Sequence, residues 1–336
     1  MDPLSALVVL TNFVVVPALA YGSQLALGAL GVTLVYGILR FANIAHGDIM
    51  AFGTMWAILG TWLLQSWGVG LGVLPTALLA VPFAIVITII YLLIVDRTVF
   101  SFYRKQRVRP VTLVMASLGV MFVTNGIVRL IIGPGDQYFE DGSRFIFTVR
   151  DFREWAGMAE GLALRSAQGL TIVVALIVMM ALFWFLNRTR TGQSMRAYSD
   201  NEDLALLSGI SPDRVVMVTW IITAGLATIA GVLYGLDKGF RPFTYFQLLL
   251  PIFASAIVGG LGNPLGAIAG GYIIAFSEMT ITYAWRRVAA HLLPEGWEPA
   301  GLLQILSVDY KFAVSFALMV LVLIFRPTGL FRGKQV

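Results

Sequence analysis

Apolar residues in this chain run in long blocks rather than alternating with polar ones. Ten such blocks fall near 4–21, 22–40, 48–66, 72–95, 111–132, 169–187, 215–236, 245–262, 264–284 and 311–326. Most approach the ~20 residues an α-helix needs to cross a ~30 Å hydrocarbon core. The pairs 4–21/22–40 and 245–262/264–284 are each one apolar stretch cut only by Gly or Pro. In lipid, a spanning segment must satisfy its own backbone N–H and C=O groups, which favours helices. The pattern predicts an all-α fold. It is a polytopic transmembrane bundle of about ten helices, some short or interrupted, in a single domain over 1–336.

Composition agrees with this reading. Hydrophobic residues make up 58% of the 336 and charged residues 12%, with a mean hydropathy of +0.85. Soluble domains carry about 25% charged residues. The absence of cysteine excludes a disulfide scaffold and Cys-based metal or redox sites. Leu4–Val16 followed by Ala18-Leu19-Ala20 has the look of a signal peptide, but no Lys or Arg precedes Arg40. A secretory signal needs a basic start, so the segment is expected to stay as a helix.

Charge then orients the spans. Arg97, Arg104, Lys105, Arg107 and Arg109 crowd the stretch 96–110, and the tail carries Arg326, Arg332 and Lys334 without an acid. By the positive-inside rule these loops face the cytoplasm, together with 40–47 and 188–214. Counting ten spans, both termini are expected there too. The loop 133–168 then faces the periplasm. Its mixed charges and its aromatics Phe145, Phe147, Phe152 and Trp155 suit an interfacial amphipathic element or a docking surface for an outside partner.

Candidate chemistry is sparse. His46 and His291 are the only histidines, no HExxH occurs, and the one Gly-Lys pair, Gly333-Lys334, is followed by Gln335 rather than Ser or Thr. No phosphate-cradling loop is therefore present. Leu207-Ser208-Gly209-Ile210-Ser211 is similar to an ATPase signature loop but cannot form an ATP site alone. Two irregular breaks interrupt apolar stretches at the same level: Phe41–Asp48, and Val258–Ala267 with Gly270-Gly271. Paired breaks in two halves of a chain point to a pathway between repeats, or to two ordinary capped turns. The translocation-path candidates are accordingly Asn43, His46, Asp48, Gly259, Gly260 and Asn263, with Glu278 inside a span. A charge at mid-bilayer costs about 2.5–3.5 kcal/mol, so Glu278 is expected to face protein or water. So few buried charges favour an energy source outside the chain.

The stretch 188–214 is the most informative. Ser199 and Glu202 have capping-box spacing, which predicts a short helix from Asp200 to Ser208 ended by Gly209. Ser211-Pro212 opens the next helix. Leu204 and Leu207 share a face. A helix this short is marginal in water and must dock on its own membrane domain or on a partner.

Four features recur in order. They are Asn43-Ile44-Ala45-His46-Gly47 with Asp48, the segment up to Gly209-Ile210, Gly259-Gly260-Leu261-Gly262-Asn263-Pro264-Leu265-Gly266-Ala267, and the ending Arg326-Pro327-Thr328-Gly329-Leu330-Phe331. In this order and spacing, from about Gly22 onward, the chain resembles the permease subunits of the branched-chain amino acid ABC importer family. That family also includes urea and short-amide importers. Asn263 stands where its glycine motif usually has serine. The resemblance implies a bacterial inner-membrane complex with a second, often non-identical permease, two cytoplasmic ATPases carrying ATP and Mg, and a periplasmic solute-binding protein. It implies no cofactor in this chain. It makes 188–214 the ATPase-coupling loop, with Asp200, Asn201, Glu202, Leu204, Leu207 and Gly209 as its candidate residues. The competing reading is a secondary carrier or channel that works without ATPases.

Overall fold

A computed structural model describes residues 3–139, 141–157, 160–292, 301 and 303–331. Among them, nine helices are long and apolar enough to cross a membrane. They are α1 (Pro3–Leu39), α2 (His46–Ser66), α3 (Ala77–Lys105), α4 (Pro110–Ile132), α6 (Ser166–Arg188), α9 (Pro212–Lys238), α10 (Pro242–Gly259), α11 (Pro264–Thr282) and α13 (Val308–Phe325). Shorter helices intervene: α5 (Val149–Ala156), α7 (Arg190–Asp200), α8 (Glu202–Leu207) and α12 (Arg286–Leu292). The strands β1 (Phe145–Phe147) and β2 (Leu164–Arg165) pair antiparallel.

The expected pair 4–21/22–40 is thus a single helix, and the ten expected spans become nine. Pro17 would clash with the preceding turn of a regular α-helix. Here a π-helical turn at Thr11–Val15 lies just before it and widens the coil, so the helix continues. Gly22 does not stop the helix either; it lies against the Tyr272 ring. The second pair is divided as expected, by a turn with left-handed Gly260 (φ 110°) and Gly262 (φ 82°). The stretch 96–110, expected as a loop, is mostly helix. A π turn at Asp96–Phe100 carries α3 on to Lys105, and Asp96 accepts hydrogen bonds from Arg104 (2.9 Å) and the Trp220 indole (2.8 Å).

Contacts sort the loops onto two ends of the bundle. At one end Ser199 meets Gly37, and Gly259 meets Phe331. At the other, Ala163 donates to Asn12 Oδ1 (3.2 Å), while Ala6 and Val9 pack on Val288 of α12. The chain starts at the 133–165 end and its tail returns to the 189–211 end. Both termini were expected on one face; the described residues nearest them, Ala6 and Val9 against Val288 and Leu330-Phe331 against Val258-Gly259, lie at opposite ends of the bundle.

The second part of α1, Val16–Leu39, is buried on nearly all sides and touches α9, α10, α11 and α6. Close approach makes this work. A Cβ at Gly31 would sit 2.6 Å from the His46 ring, and one at Gly259 would sit 1.9 Å from the Gly266 carbonyl. Small residues let helix backbones approach in lipid, where apolar burial provides little drive. In the 133–165 loop, Thr148 and Asp151 form a reciprocal capping box that starts α5. Its exposed Trp155 is consistent with the interfacial reading.

Gly31→Val should lower the thermal unfolding midpoint in detergent, with an overpacking cost of about 1–3 kcal/mol. Gly225→Ala, where an added Cβ meets nothing within 4 Å, should be neutral or slightly stabilising. Equal midpoints for the two variants would refute the close-contact account.

Candidate functional site

The 189–211 segment is built by an unbroken series of caps. Thr189 ends α6 by donating to Phe185 O (2.7 Å), and it starts α7 by accepting from Gly192 N (3.0 Å). The expected helix from Asp200 to Ser208 does not form as one piece. Asp200 closes α7, Asn201 is extended (φ −152°, ψ 107°), and α8 starts afterwards at Glu202. The cap is Asn201, whose Oδ1 accepts from Leu204 N at 3.1 Å. The Ser199–Glu202 box fails because both side chains have other partners. Ser199 Oγ donates to Gly37 O (2.9 Å), and Glu202 accepts from the Tyr198 hydroxyl (2.7 Å). Gly209, at φ 81°, ends α8 as its position predicts.

Two bonds anchor this segment to the central helix. Arg40, itself left-handed at φ 57°, donates to Ser199 O (2.8 Å), beside the Ser199–Gly37 bond. Burial and the Glu202 carboxylate push the Tyr198 phenol well above its usual range, so it stays a proton donor. On α8, Ala205 is 3% exposed and faces inward, whereas Leu204 is 61% and Leu207 85% exposed. The two leucines do not pack on the ends of neighbouring spans. Arg40 and the Ser199 bond to Gly37 escape sequence reasoning, since these contacts join residues more than 150 apart and leave no local pattern.

The second group lies at the same end. Asn263 caps α11, its Oδ1 accepting from Leu265 N (3.1 Å) and Gly266 N (3.2 Å), while its amide donates to Phe331 O (2.9 Å). Leu330 N and Phe331 N donate to Val258 O and Gly259 O, and Gly329 packs on Gly260. Two motifs separated by some sixty residues of chain therefore form one unit. A cavity of about 250 Å³ joins this unit to the first, lined by Gly37, Ser199, Asp200, Gly262 and Asn263.

The remaining candidates lie apart. Asn43 makes a turn, accepting from Ala45 N through its side chain (3.2 Å) and from His46 N through its carbonyl (3.3 Å). His46 is fully buried against Gly31, and buried Asp48 accepts from the Asn125 amide (2.6 Å). These three start α2 inside the packed bundle. Glu278 sits further along α11, buried, and accepts from Ser315 Oγ. Lys311 lies nearby, with its Nζ 5.4 Å from the Tyr21 ring centroid. Glu278 does not join the Asn43–Asp48 or Gly259–Asn263 groups. No group of three or more His, Asp or Glu suited to a metal occurs among the described residues.

Comparison with known proteins decides the family. Residues 14–323 match the family described as branched-chain amino acid transport system / permease component. The chain belongs to the branched-chain amino acid transport permease family. It is 31% identical over 320 residues to the high-affinity branched-chain amino acid transport system permease protein LivH of Escherichia coli K12, covering 94% of this chain and 93% of that one. It is 28% identical to the permease protein BraD of Pseudomonas aeruginosa, covering 96% and 95%. It is 30% identical to the probable branched-chain amino acid transport permease LivH of Methanocaldococcus jannaschii, covering 79% of each. These relatives are transport permeases rather than enzymes. Membership in the permease family also accounts for the many apolar helices: the protein is a multi-pass membrane subunit.

Asn263→Ala should remove the cap and the tail bond together, costing about 1 kcal/mol and freeing the tail to protease. Asn263→Ser retains a capping oxygen and should lose only the bond to Phe331. Tail proteolysis and unfolding midpoints identical to the parent's in both variants would overturn this role.

Proposed function

We propose that this permease is the membrane-spanning subunit of an ATP-driven importer for branched-chain amino acids, with α8 coupling it to ATPase subunits. The observation that carries the reading is the pair Leu204 and Leu207, exposed on a short helix anchored to the central span through Arg40 and Ser199. An exposed apolar pair on a rigid base suits insertion into a groove on a partner. Force on α8 would pass through α7 to Gly37 and to the cavity beside Asn263. ATP and Mg would reside on two cytoplasmic ATPases. A second, non-identical permease and a periplasmic binding protein would complete the complex in a bacterial inner membrane. The names of the relatives support branched-chain amino acids as solute; urea or short amides are the alternative within the resemblance.

The basic loops support a cytoplasmic 189–211 end. Nine crossings then put the N-terminus outside. In a chain free of cysteine, Arg196→Cys should resist an impermeant thiol reagent on intact cells, while Leu4→Cys and Arg150→Cys should react. The opposite labelling would invert the orientation.

Coupling is tested by Leu204→Asp with Leu207→Asp. Because neither leucine is buried, the double variant should insert and unfold like the parent. ATPase copurification and uptake should fall together by tenfold or more. If the variant retains both, α8 is not the coupling element. Uptake by the permease alone in vesicles, driven by a proton or sodium gradient, would favour the carrier reading.

A further inference from the structure

After Asp96 the chain has no acid until Asp136, yet it carries Arg97, Arg104, Lys105, Arg107 and Arg109 in that interval. Arg104 is taken by Asp96 at 2.9 Å. Arg97, Lys105, Arg107 and Arg109 are exposed and form no ion pair among the described residues.

Their place on α3 is informative. One exposed row descends the helix through Phe83, Val86, Ile90 and Ile94. At steps of three or four residues it continues into Arg97 and Thr98, then Phe102 and Lys105. Phe102 is 56% exposed, as much as Ile94. The side of α3 that meets acyl chains therefore runs without a break into bases. The helix has 29 residues, or ~43 Å at 1.5 Å per residue, against a hydrocarbon core of ~30 Å. Its last turns thus emerge from the hydrocarbon, with an apolar ring between charged ones. That alternation belongs to the boundary of acyl chains and headgroups. On α4 the same holds: Arg109 precedes the first turn, and exposed Val111 and Met115 follow.

The turn between these helices carries a further sign. Arg107 is left-handed (φ 50°) where α3 stops, with Arg107 N donating to Arg104 O (3.1 Å) and Val108 N to Tyr103 O (3.4 Å). Glycine fills this position at least conformational cost. An arginine here is strained, and ending the helix does not account for it.

Guanidinium groups bind phosphate oxygens through paired N–H donors. Long basic side chains reach from an apolar surface to the headgroup level. A zwitterionic headgroup also brings an ammonium, which the same bases repel; an anionic one does not. We propose that Arg97, Lys105, Arg107 and Arg109 form a binding site for the phosphate headgroup of an anionic phospholipid, whose acyl chains lie along the Ile90–Ile94 row of α3. The leaflet alone rests on the orientation proposed above; the site does not. It occupies the same turn as Asp96 and as Phe100, which stacks on Trp220 and touches Phe41. A bound lipid therefore steadies the turn that leads into the Asn43 motif.

The test is titration of the purified full-length permease complex in detergent with dioleoylphosphatidylglycerol or dioleoylphosphatidylcholine, with bound lipids counted by native mass spectrometry. The glycerol lipid should bind about tenfold or more tightly than the choline lipid, and the preference should shrink as salt rises. It should also raise the unfolding midpoint further. Combining Arg97→Gln, Lys105→Gln and Arg107→Gln should weaken the glycerol lipid by about tenfold or more and leave the choline lipid unchanged. Arg188→Gln with Arg190→Gln, which removes two exposed bases at the same end, should change either affinity by less than about twofold. The two-lipid comparison on the parent complex depends on no variant folding. Equal affinity for the two lipids overturns the site. Equal losses in the two variants also overturn it, because diffuse charge then suffices. Full displacement of the glycerol lipid by excess inorganic phosphate reduces the site to one for free anions and overturns it. A triple variant that keeps its lipid affinity but loses its ATPase makes this surface a protein contact and overturns the lipid assignment.

Discussion

Two helices in lipid gain little by burying apolar side chains against each other, since the acyl chains are equally apolar. They hold together through close backbone contact and through the few polar bonds between them. In this permease both requirements converge on Val16–Leu39. His46 lies over Gly31, Tyr272 over Gly22 and Ile252 over Gly28, so three different helices press against one. The rest of the bundle takes its positions from that helix. The helices α3, α4, α6 and α13 form the periphery and turn residues such as Ile94, Phe122, Met180 and Ile324 outward.

The same constraint accounts for the polar residues within the bundle. Asp48 has Asn125, Glu278 has Ser315, and Asp96 has both Arg104 and Trp220. Each such group has a partner from another helix, as the cost of an isolated charge in a bilayer demands. These bonds fix helices relative to one another. Phe100, stacked on Trp220 at 5.3 Å and close to Phe41, extends the Asp96 cluster to the turn that starts the Asn43 motif.

At one end the central helix also serves as an anchor. Arg40 adopts a left-handed conformation as α1 ends, and its guanidinium reaches Ser199. The anchored α7 presents α8 with Ala205 inward and two leucines outward. The glycine turn after α10 and the tail around Phe331 close the same end. The proposed coupling therefore acts on a segment joined to the core by hydrogen bonds, and not on a free loop. The opposite end is built differently. There sit a small hairpin and a capped amphipathic helix, and a cavity bordered by Pro75, Arg144, Arg165 and Asp237 that the coupling machinery does not use.

The sequence by itself determined the class of the molecule and most of its spans, because a block of about twenty apolar residues has essentially one solution in lipid. It also determined the turn at Gly260–Asn263 and the stop at Gly209, since left-handed glycines and an Asn cap act locally. Only the tertiary structure decided the rest. The stretch from Pro17 to Gly22 reads as a cut between two spans, yet an upstream π turn lets the helix continue. Ser199 and Glu202 read as a capping box, yet Gly37 and Tyr198 take their side chains, so Asn201 caps instead. Asp96 reads as the start of a loop, yet Arg104 and Trp220 hold it in a continued helix. In the last two cases a local preference worth about 1 kcal/mol yielded to a bond with a distant segment. Such bonds are invisible in a single chain because nothing in sequence spacing records which helices will be neighbours.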